Sequence, residues 1–268
     1  MTAAKHKARR ALIVGLGKTG VSCARHLLGQ GWEISATDSR MNPPGGAQLR
    51  AMSPDSPLRV GGFDQSLLAG AQLVVASPGV PLSEPIFATA RAQGLDVAGD
   101  IELFARAADA PVIGITGTNG KSTVTTLLGR MAERSGIRVK VGGNLGTPAL
   151  ELLDGPAPQL YVLELSSFQL EATSSLSLLA ATVLNVTADH QDRYASMQDY
   201  AAAKARIFAR CGTAVVNLDD DNAAAMPTGG SARVGFSLGA SPRAEYSLSG
   251  HDASDWTLMR HGQPLLRL

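Results

Sequence analysis

The sequence predicts an α/β fold built on largely parallel sheets. Short apolar runs with the length of buried strands alternate with helical patterns along most of the 268 residues, and this alternation is typical of βαβ units. Two of the runs, 11–14 and 111–115, each lead into a glycine-rich turn followed by a helical pattern. Because such turns allow backbone N–H groups to approach phosphate oxygens, they predict a Rossmann-like domain followed by an ATP-binding domain of the phosphate-loop (P-loop) type.

Composition and charge exclude several classes of protein. A net charge of +1 gives no basic footprint for nucleic acid, and no apolar run approaches the length that crosses a bilayer. The basic stretch 1–10 precedes an apolar run that is too short for a signal peptide. Two cysteines, Cys23 and Cys211, lie far apart without metal-ligand spacing, which predicts reduced, buried thiols in a cytoplasmic protein.

The first predicted domain covers residues 1–99. Its strands are predicted at 11–14, 33–37, 73–76 and 96–98, and its helices around 23–28 and 85–94. A loop rich in proline and glycine is expected near 42–46, after the second strand. A seam is predicted near Gly99, and a helix at 101–107 then leads into the second domain.

The second predicted domain covers residues 100–268 and has a mostly parallel sheet. Strands are predicted at 111–115, 160–164, 181–186 and 214–217, and helices at 124–132 and 197–210. Polar residues close two of these strands, at the edge where open parallel sheets bind ligands. After about Pro227, shorter alternating stretches indicate antiparallel strands, and the acidic run 219–221 is expected to be a turn that caps the next element.

The segment Gly117-Thr118-Asn119-Gly120-Lys121-Ser122-Thr123 is the most informative motif of the chain. It joins a buried strand to a helix, so its glycines and the helix N-terminus can hold the phosphates of a nucleotide triphosphate. Lys121 can neutralise the β- and γ-phosphates, and Ser122 can ligate Mg²⁺. The full P-loop pattern has a further glycine where this chain has Ile115, so the motif is the shortened form Gly-x-x-Gly-Lys-Ser.

The turn Gly15-Leu16-Gly17-Lys18-Thr19-Gly20 matches the pattern Gly-x-Gly-x-x-Gly between a strand and a helix. Asp38 follows about 20 residues later, at the end of the next strand, where an acidic residue contacts the ribose of NAD. The same geometry suits other nucleotide diphosphates, including a UDP-sugar. The spacing therefore leaves NAD and UDP as alternatives.

Three further side chains are candidates for the site, and two of them, Glu164 and His190, also have a structural alternative. Glu164 closes a buried strand, where a carboxylate is costly unless it is paired or bound to a metal; it is either a Mg²⁺ ligand or a hydrogen-bonded strand end. His190 follows the next strand and is as readily a ligand as a structural residue. Asn144 lies in a glycine-rich loop that can approach a ligand, whereas Lys204, taken alone, has the pattern of a solvated helix lysine.

These motifs, in this order, resemble the Mur ligases. The match covers nearly the whole chain, and its most specific parts are the runs 164–171 and 189–194. The matching segments are 15–20, 38–40, 76–79, 99–104, 114–126, 142–146, 161–171, 185–194 and 200–208. The resemblance implies an ATP-dependent ligase that adds D-glutamate to UDP-N-acetylmuramoyl-L-alanine through an acyl phosphate, in the synthesis of peptidoglycan precursors.

The resemblance also implies a role for each candidate residue. The first domain would bind UDP rather than NAD, through Lys18, Thr19, Asp38, Ser39, Arg40 and Gly79. The muramoyl and pyrophosphate groups would contact Asn144, Ser166, Gln169 and His190, and ATP would contact Gly117, Thr118, Asn119, Gly120, Lys121, Ser122 and Thr123. One Mg²⁺ would be ligated by Ser122 and Glu164, and a second by His190 with the support of a carbamylated Lys204. The catalytic residues would be Lys121, His190 and Lys204.

The resemblance also carries expectations about the whole protein. Family members have a third domain that binds the amino acid and completes the ATP site, so this chain is expected to be a fragment that cannot turn over alone. A monomer is expected. A non-catalytic UDP-sugar-binding fragment and an NAD-dependent oxidoreductase remain alternatives, although the second leaves the P-loop and Glu164 unexplained. The UDP-type first domain and the run 166–169 disfavour a sister ligase such as folylpolyglutamate synthetase.

Overall fold

A computed structural model describes residues 8–239, 241–250 and 255–267, so most of the basic stretch 1–10 lies outside the described residues. The chain forms two compact units, each with its own sheet. The first unit comprises the chain up to 108 together with 146–156 and 171–175; the second comprises 109–145, 157–170 and the chain from 176 onward. The predicted α/β class with mainly parallel strands is confirmed, whereas the boundary at Gly99 stays a prediction.

The first unit contains a five-stranded parallel sheet. Its strand order is β3-β2-β1-β4-β5, and the order reverses beside β1, which is where open α/β sheets bind ligands. Its elements are β1 (Arg10–Val14), α1 (Lys18–Gly29), β2 (Glu33–Asp38), α2 (Gly46–Met52), β3 (Leu58–Val60), β4 (Leu73–Ala76), α3 (Pro85–Ala92), β5 (Asp96–Ala98) and α4 (Asp100–Ala107).

The core of the first unit follows from its apolar strands. Leu12 of β1 and Val74 of β4 are fully buried and share a cluster with Ile86 and Phe87 of α3. Such continuous apolar runs are typical of parallel strands that are covered on both faces. The sequence did not predict α2 and β3, because proline and glycine dominate the segment before them.

The second unit contains a nine-stranded mixed sheet. Its strand order is β14-β13-β12-β11-β10-β9-β6-β8-β7, so β6 lies in the interior between β9 and β8. Its elements are β6 (Val112–Thr116), α5 (Lys121–Arg134), β7 (Val139–Gly143), β8 (Leu160–Glu164), α6 (Ser167–Glu171), β9 (Leu178–Val183), α7 (Met197–Ala205), β10 (Cys211–Asn217), α8 (Asp221–Ala224), β11 (Ala232–Ser237), β12 (Tyr246–Ser249), β13 (Thr257–Arg260) and β14 (Gln263–Arg267).

The strand predicted at 181–186 is shifted in the structure, since β9 ends at Val183. The N–H of Leu184 still donates to the carbonyl of Thr116 at 2.9 Å, but the chain then turns to contact the loop that follows β6. Val186 is only 3 % exposed. Because the apolar run continues past Val183, the pattern of apolar residues does not show where the strand ends.

Three other predictions need correction. β10, β11 and β12 pair in parallel, and only β12, β13 and β14 are antiparallel, because α8 provides a crossover between β10 and β11. The helix predicted at 197–210 is α7 followed by a 3₁₀ turn at Arg206–Phe208. Both cysteines are free thiols, but only Cys23 is buried; Cys211 is half-buried.

The expected acidic turn is confirmed. The carboxylate of Asp220 accepts a hydrogen bond from the N–H of Ala223 at 2.8 Å and thereby caps α8. In the part of the chain that the structure describes, no helix combines the length and the apolar character needed to cross a bilayer.

Candidate functional site

The glycine-rich turn after β1 has the close packing that its spacing predicts. Gly15 has a φ of +91°, which favours glycine. A Cβ at Gly20 would lie 2.1 Å from the carbonyl oxygen of Gly15, so only glycine permits α1 to start this close to the strand end. The hydroxyl of Ser77, after β4, donates to the same carbonyl at 2.5 Å. The turn is therefore fixed with the N-terminus of α1 directed at the carboxyl edge of the sheet.

A cleft of about 440 Å³ opens at this edge. It brings together all six residues that the sequence analysis assigns to UDP: Lys18, Thr19, Asp38, Ser39, Arg40 and Gly79. The helix N-terminus and the turn supply backbone N–H groups for an anion. The ammonium group of Lys18 donates to the carbonyl of Gly146 at 2.6 Å, which holds a cation beside the turn.

The carboxylate of Asp38 is fully engaged by the protein. Four N–H groups donate to its two oxygens, from the backbone of Leu16, the backbone of Arg40 and the guanidinium of Arg40. Burial raises the pKa of Asp38, but the hydrogen bonds from Arg40 and Leu16 outweigh it and lower the pKa to about 2. A carboxylate has about four acceptor positions, so in this conformation Asp38 has none left for ribose hydroxyls, whether of NAD or of UDP. The hydrogen bonds of Asp38 therefore do not distinguish the two alternatives.

The P-loop connects β6 to α5 as predicted. Gly117 has a φ of +152°, and Gly120 caps α5 in the left-handed conformation with a φ of +80°. A Cβ at Gly117 would lie 3.0 Å from the Cβ of Leu184, so the loop runs close beside the chain that leaves β9. The ammonium group of Lys121 donates to the carbonyl of Thr118 at 2.9 Å and lies folded back over the loop.

Glu164 ends β8, which pairs directly with β6. The Glu164 side chain is 3 % exposed. Its Oε2 accepts from the hydroxyl of Ser122 at 2.7 Å, and its Oε1 accepts from the amide of Asn144 at 2.8 Å. Asn144 follows β7, the strand that the sequence analysis read as a glycine loop. Two of the predicted residues, Ser122 of α5 and Asn144 after β7, thus donate hydrogen bonds to the carboxylate of a third, Glu164 of β8.

This oxygen-rich arrangement fits Mg²⁺. The cation prefers carboxylate, hydroxyl and phosphate oxygens and is usually held by one or two protein ligands together with the phosphates of a nucleotide. Ser122 and Glu164 supply such a pair. Among the described residues, no group of three or more His, Cys, Asp and Glu side chains lies close enough together to hold a metal ion.

Lys204 is buried rather than solvated, so its reading as an exposed helix lysine is wrong. The side chain is 1 % exposed. Its Nζ donates to the carbonyl of Gly117 at 2.8 Å and lies 4.4 Å from the ring centroid of Tyr200. Burial, together with the nearby charge of Lys121 and against the opposing effect of Asp189, lowers the pKa of Lys204 to about 7. The amine is thus largely neutral above neutral pH.

His190 lies in an aromatic cluster next to Lys204. Its ring centroid is 4.8 Å from that of Phe168 and 5.9 Å from that of Tyr200. Its Nε2 lies 3.5 Å from a carboxylate oxygen of Asp189, and its backbone has a φ of +51°. Tyr200 thus contacts both His190 and Lys204; the sequence analysis gave it no role, because its pattern is that of a buried helix residue.

Ser166 and Gln169 bind each other at the start of α6. The hydroxyl of Ser166 accepts from the N–H of Gln169 at 3.2 Å, and the Oε1 of Gln169 accepts from the N–H of Ser166 at 3.0 Å. This is a capping box, which satisfies two N–H groups at a helix N-terminus. The pair therefore has a structural function in addition to any contact with substrate.

Comparison with known proteins identifies relatives of one kind, the Mur ligases. Residues 9–99 match the N-terminal domain of MurD-like Mur ligases, and residues 115–254 match the Mur ligase middle domain. A UDP-N-acetylmuramoylalanine–D-glutamate ligase from Nitrosococcus oceani is 52 % identical over 95 % of this chain and 56 % of that protein. A ligase of the same name from Marinobacter nauticus is 59 % identical over 79 % of this chain and 47 % of that protein. The chain thus spans about half the length of the curated relatives it matches.

Solved structures support the same fold. A UDP-N-acetylmuramate:L-alanyl-γ-D-glutamyl-meso-diaminopimelate ligase from Neisseria meningitides aligns with a TM-score of 0.61 at 18 % identity, over 96 % of this chain and 86 % of that chain. The UDP-N-acetylmuramate-alanine ligase MurC from Thermotoga maritima aligns with a TM-score of 0.57 at 18 % identity, over 97 % of this chain and 60 % of that chain. With both of its domain matches in the predicted order, the chain belongs to the Mur ligase family.

Proposed function

We propose that the protein containing this chain is an ATP-dependent ligase that joins D-glutamate to UDP-N-acetylmuramoyl-L-alanine. The observation that carries the proposal is the pairing of Ser122 with the buried carboxylate of Glu164 at the end of the P-loop, because these two oxygen ligands would hold the Mg²⁺ of a nucleotide triphosphate. The names of the relatives supply the substrates and the stereochemistry of the amino acid. The product is a peptidoglycan precursor.

The proposed reaction has two steps. The carboxylate of the L-alanyl group attacks the γ-phosphorus of ATP, which releases ADP and gives an acyl phosphate. The amine of glutamate then attacks the acyl carbon, forms the amide and releases phosphate. Lys121 neutralises the transferred phosphoryl group and positions it for in-line attack. Bound at Ser122 and Glu164, Mg²⁺ would reduce the repulsion between the two anionic reactants.

Two sets of residues would bind UDP-N-acetylmuramoyl-L-alanine. In the first unit, the cleft with Lys18, Thr19 and Arg40 would take the UDP group. In the second unit, the muramoyl and pyrophosphate part would contact Asn144, Ser166, Gln169 and His190. ATP and a nucleotide sugar are cytoplasmic metabolites, so we place the reaction in the cytoplasm, with a monomer as the acting form. The test is whether the chain binds both UDP-N-acetylmuramoyl-L-alanine and Mg²⁺-ATP; binding of neither contradicts the proposal.

Lys204 is proposed to react with CO₂ and become a carbamate. The neutral amine attacks the carbon of CO₂ and loses one proton, so a potential cation becomes an anion that can support a second Mg²⁺ with His190. A buried amine with a pKa of about 7 supplies the neutral form that this reaction needs. With ¹³C-labelled bicarbonate at pH 8, we expect a carbamate signal in the NMR spectrum that is absent from Lys204→Arg. If Lys204→Arg gives the same carbamate signal, the carbamate forms on another amine, which would contradict the proposed role of Lys204.

A further inference from the structure

Two backbone N–H groups of the P-loop are already hydrogen-bonded within the protein. The N–H of Thr118 donates to the carbonyl of Asn185 at 2.9 Å, and the N–H of Asn119 donates to the side-chain Oδ1 of Asn185 at 2.8 Å. Neither group can therefore bind a phosphate in this conformation. The N–H groups left for an anion are those at the first turn of α5, which have no partners within the helix.

The side chain of Asn185 pairs with the backbone of Asn119 in both directions. Besides accepting from the N–H, it donates from its Nδ2 to the carbonyl of Asn119 at 3.1 Å. Two residues later, the N–H of Thr187 donates to the hydroxyl of Thr118 at 3.1 Å. The segment after β9 thus runs beside the loop and holds Thr118 and Asn119, its two middle residues, by hydrogen bonds.

The segment that carries Asn185 is itself anchored on both sides. Before it, the N–H of Leu184 bonds to the carbonyl of Thr116 at 2.9 Å. After it, the N–H of Val186 donates to the carboxylate of Asp220 at 3.0 Å, which belongs to the cap of α8. Asn185 therefore acts from a fixed position rather than from a free loop.

We propose that Asn185 is a positioning residue that holds the P-loop in its phosphate-binding conformation before ATP arrives. This inference rests on the proposed function, because it needs the loop to bind ATP. A loop held in advance loses less conformational freedom on binding, so a given set of phosphate contacts yields more affinity. The hydrogen bonds to Asn185 also keep the N–H groups of Thr118 and Asn119 directed away from the anion. The first turn of α5 is then left to bind the anion.

The test compares two side-chain amides that each accept a hydrogen bond from a backbone N–H of another segment. Asn185→Ala removes the pairing with the loop. Gln159→Ala removes a similar bond, from the N–H of Arg138 to its Oε1 at 3.0 Å, which involves neither the loop nor the segment that carries Asn185. We expect Asn185→Ala to weaken Mg²⁺-ATP binding about tenfold and Gln159→Ala to leave it unchanged, as measured by calorimetry. By amide hydrogen exchange, Asn119 should lose protection only in the first variant.

The outcomes separate the inference from the function it rests on. If the unaltered chain binds ATP and Asn185→Ala binds equally well, the inference is wrong while the proposed function stands. If both variants lose affinity in proportion to lost thermal stability, the effect is general destabilisation, and the inference is also wrong. If the unaltered chain binds UDP-N-acetylmuramoyl-L-alanine but not Mg²⁺-ATP, the inference is wrong while the proposed function stands. If it binds neither ligand, both fail.

Discussion

Lys121→Met is expected to weaken the binding of Mg²⁺-ATP to this chain about 100-fold, because charge-assisted hydrogen bonds to phosphate are among the strongest in a site. The ammonium group already lies over the loop, where it donates to the carbonyl of Thr118 at 2.9 Å. Methionine retains the length of the side chain but removes the charge and all three donors. Calorimetric titration with ATP and Mg²⁺ measures the effect directly.

Arg130→Met is the matched control for that variant. Arg130 is exposed and lies later on the same helix, α5, so its loss removes one positive charge without removing a phosphate contact. We expect its ATP affinity to stay within about twofold of that of the unaltered chain, since exposed charges are screened by salt. Equal affinities for Lys121→Met and the unaltered chain would contradict the assignment of the loop.

Glu102→Ala is expected to lower the free energy of unfolding by about 3 kcal/mol. Glu102 lies in α4 and is 3 % exposed. One of its oxygens accepts from the N–H groups of Ser174 and Ser175 at 2.7 and 2.9 Å, and the other accepts from the guanidinium of Arg106 at 3.0 Å. Alanine leaves all three donors without this acceptor. Urea denaturation measures the loss, and the exposed Glu133→Ala should change stability by no more than about 0.5 kcal/mol.

The contribution of Glu102 also has a predictable dependence on pH. Burial raises the pKa of Glu102, but the hydrogen bonds from Ser174, Ser175 and Arg106 outweigh it and lower the pKa from 4.5 to about 2. A depressed pKa means that the contribution is complete above pH 4.5 and is lost as the pH falls through about 2. The stability difference from Glu102→Gln should therefore narrow in acid. A difference that stays constant from pH 7 to pH 2 would contradict the ionised state of this carboxylate.

The sequence predicted the parts of the site that lie next to glycines. Gly15, Gly20, Gly117 and Gly120 mark turns that only glycine can form at these strand ends, and such constraints are visible in the spacing alone. Glu164 was also predictable, since a carboxylate at the end of an apolar strand needs a partner. The structure supplies those partners, Ser122 and Asn144, and the role of Glu164 as a Mg²⁺ ligand stays a prediction.

Other parts of the site could not be derived from local patterns. Lys204 is buried because α7 packs it under the P-loop, a tertiary contact that its helical pattern does not reveal. Asn185 stands in what looked like a strand because Val186 continues the apolar run, although β9 has already ended. Likewise, the motif does not reveal that four hydrogen bonds within the protein engage Asp38, and the position of Asp38 in the motif is consistent with NAD or UDP.

The most direct test of the account is a calorimetric titration of this chain with UDP-N-acetylmuramoyl-L-alanine, and with NAD in a parallel experiment. We predict binding of the UDP compound alone, weakened in Arg40→Ala, whose guanidinium is paired with Asp38 and lines the cleft, and unchanged in the exposed Arg50→Ala. Binding of NAD without the UDP compound would contradict the account, because it would assign the first unit to a dinucleotide. Binding of neither ligand would contradict it as well, because the cleft would then not be a nucleotide site.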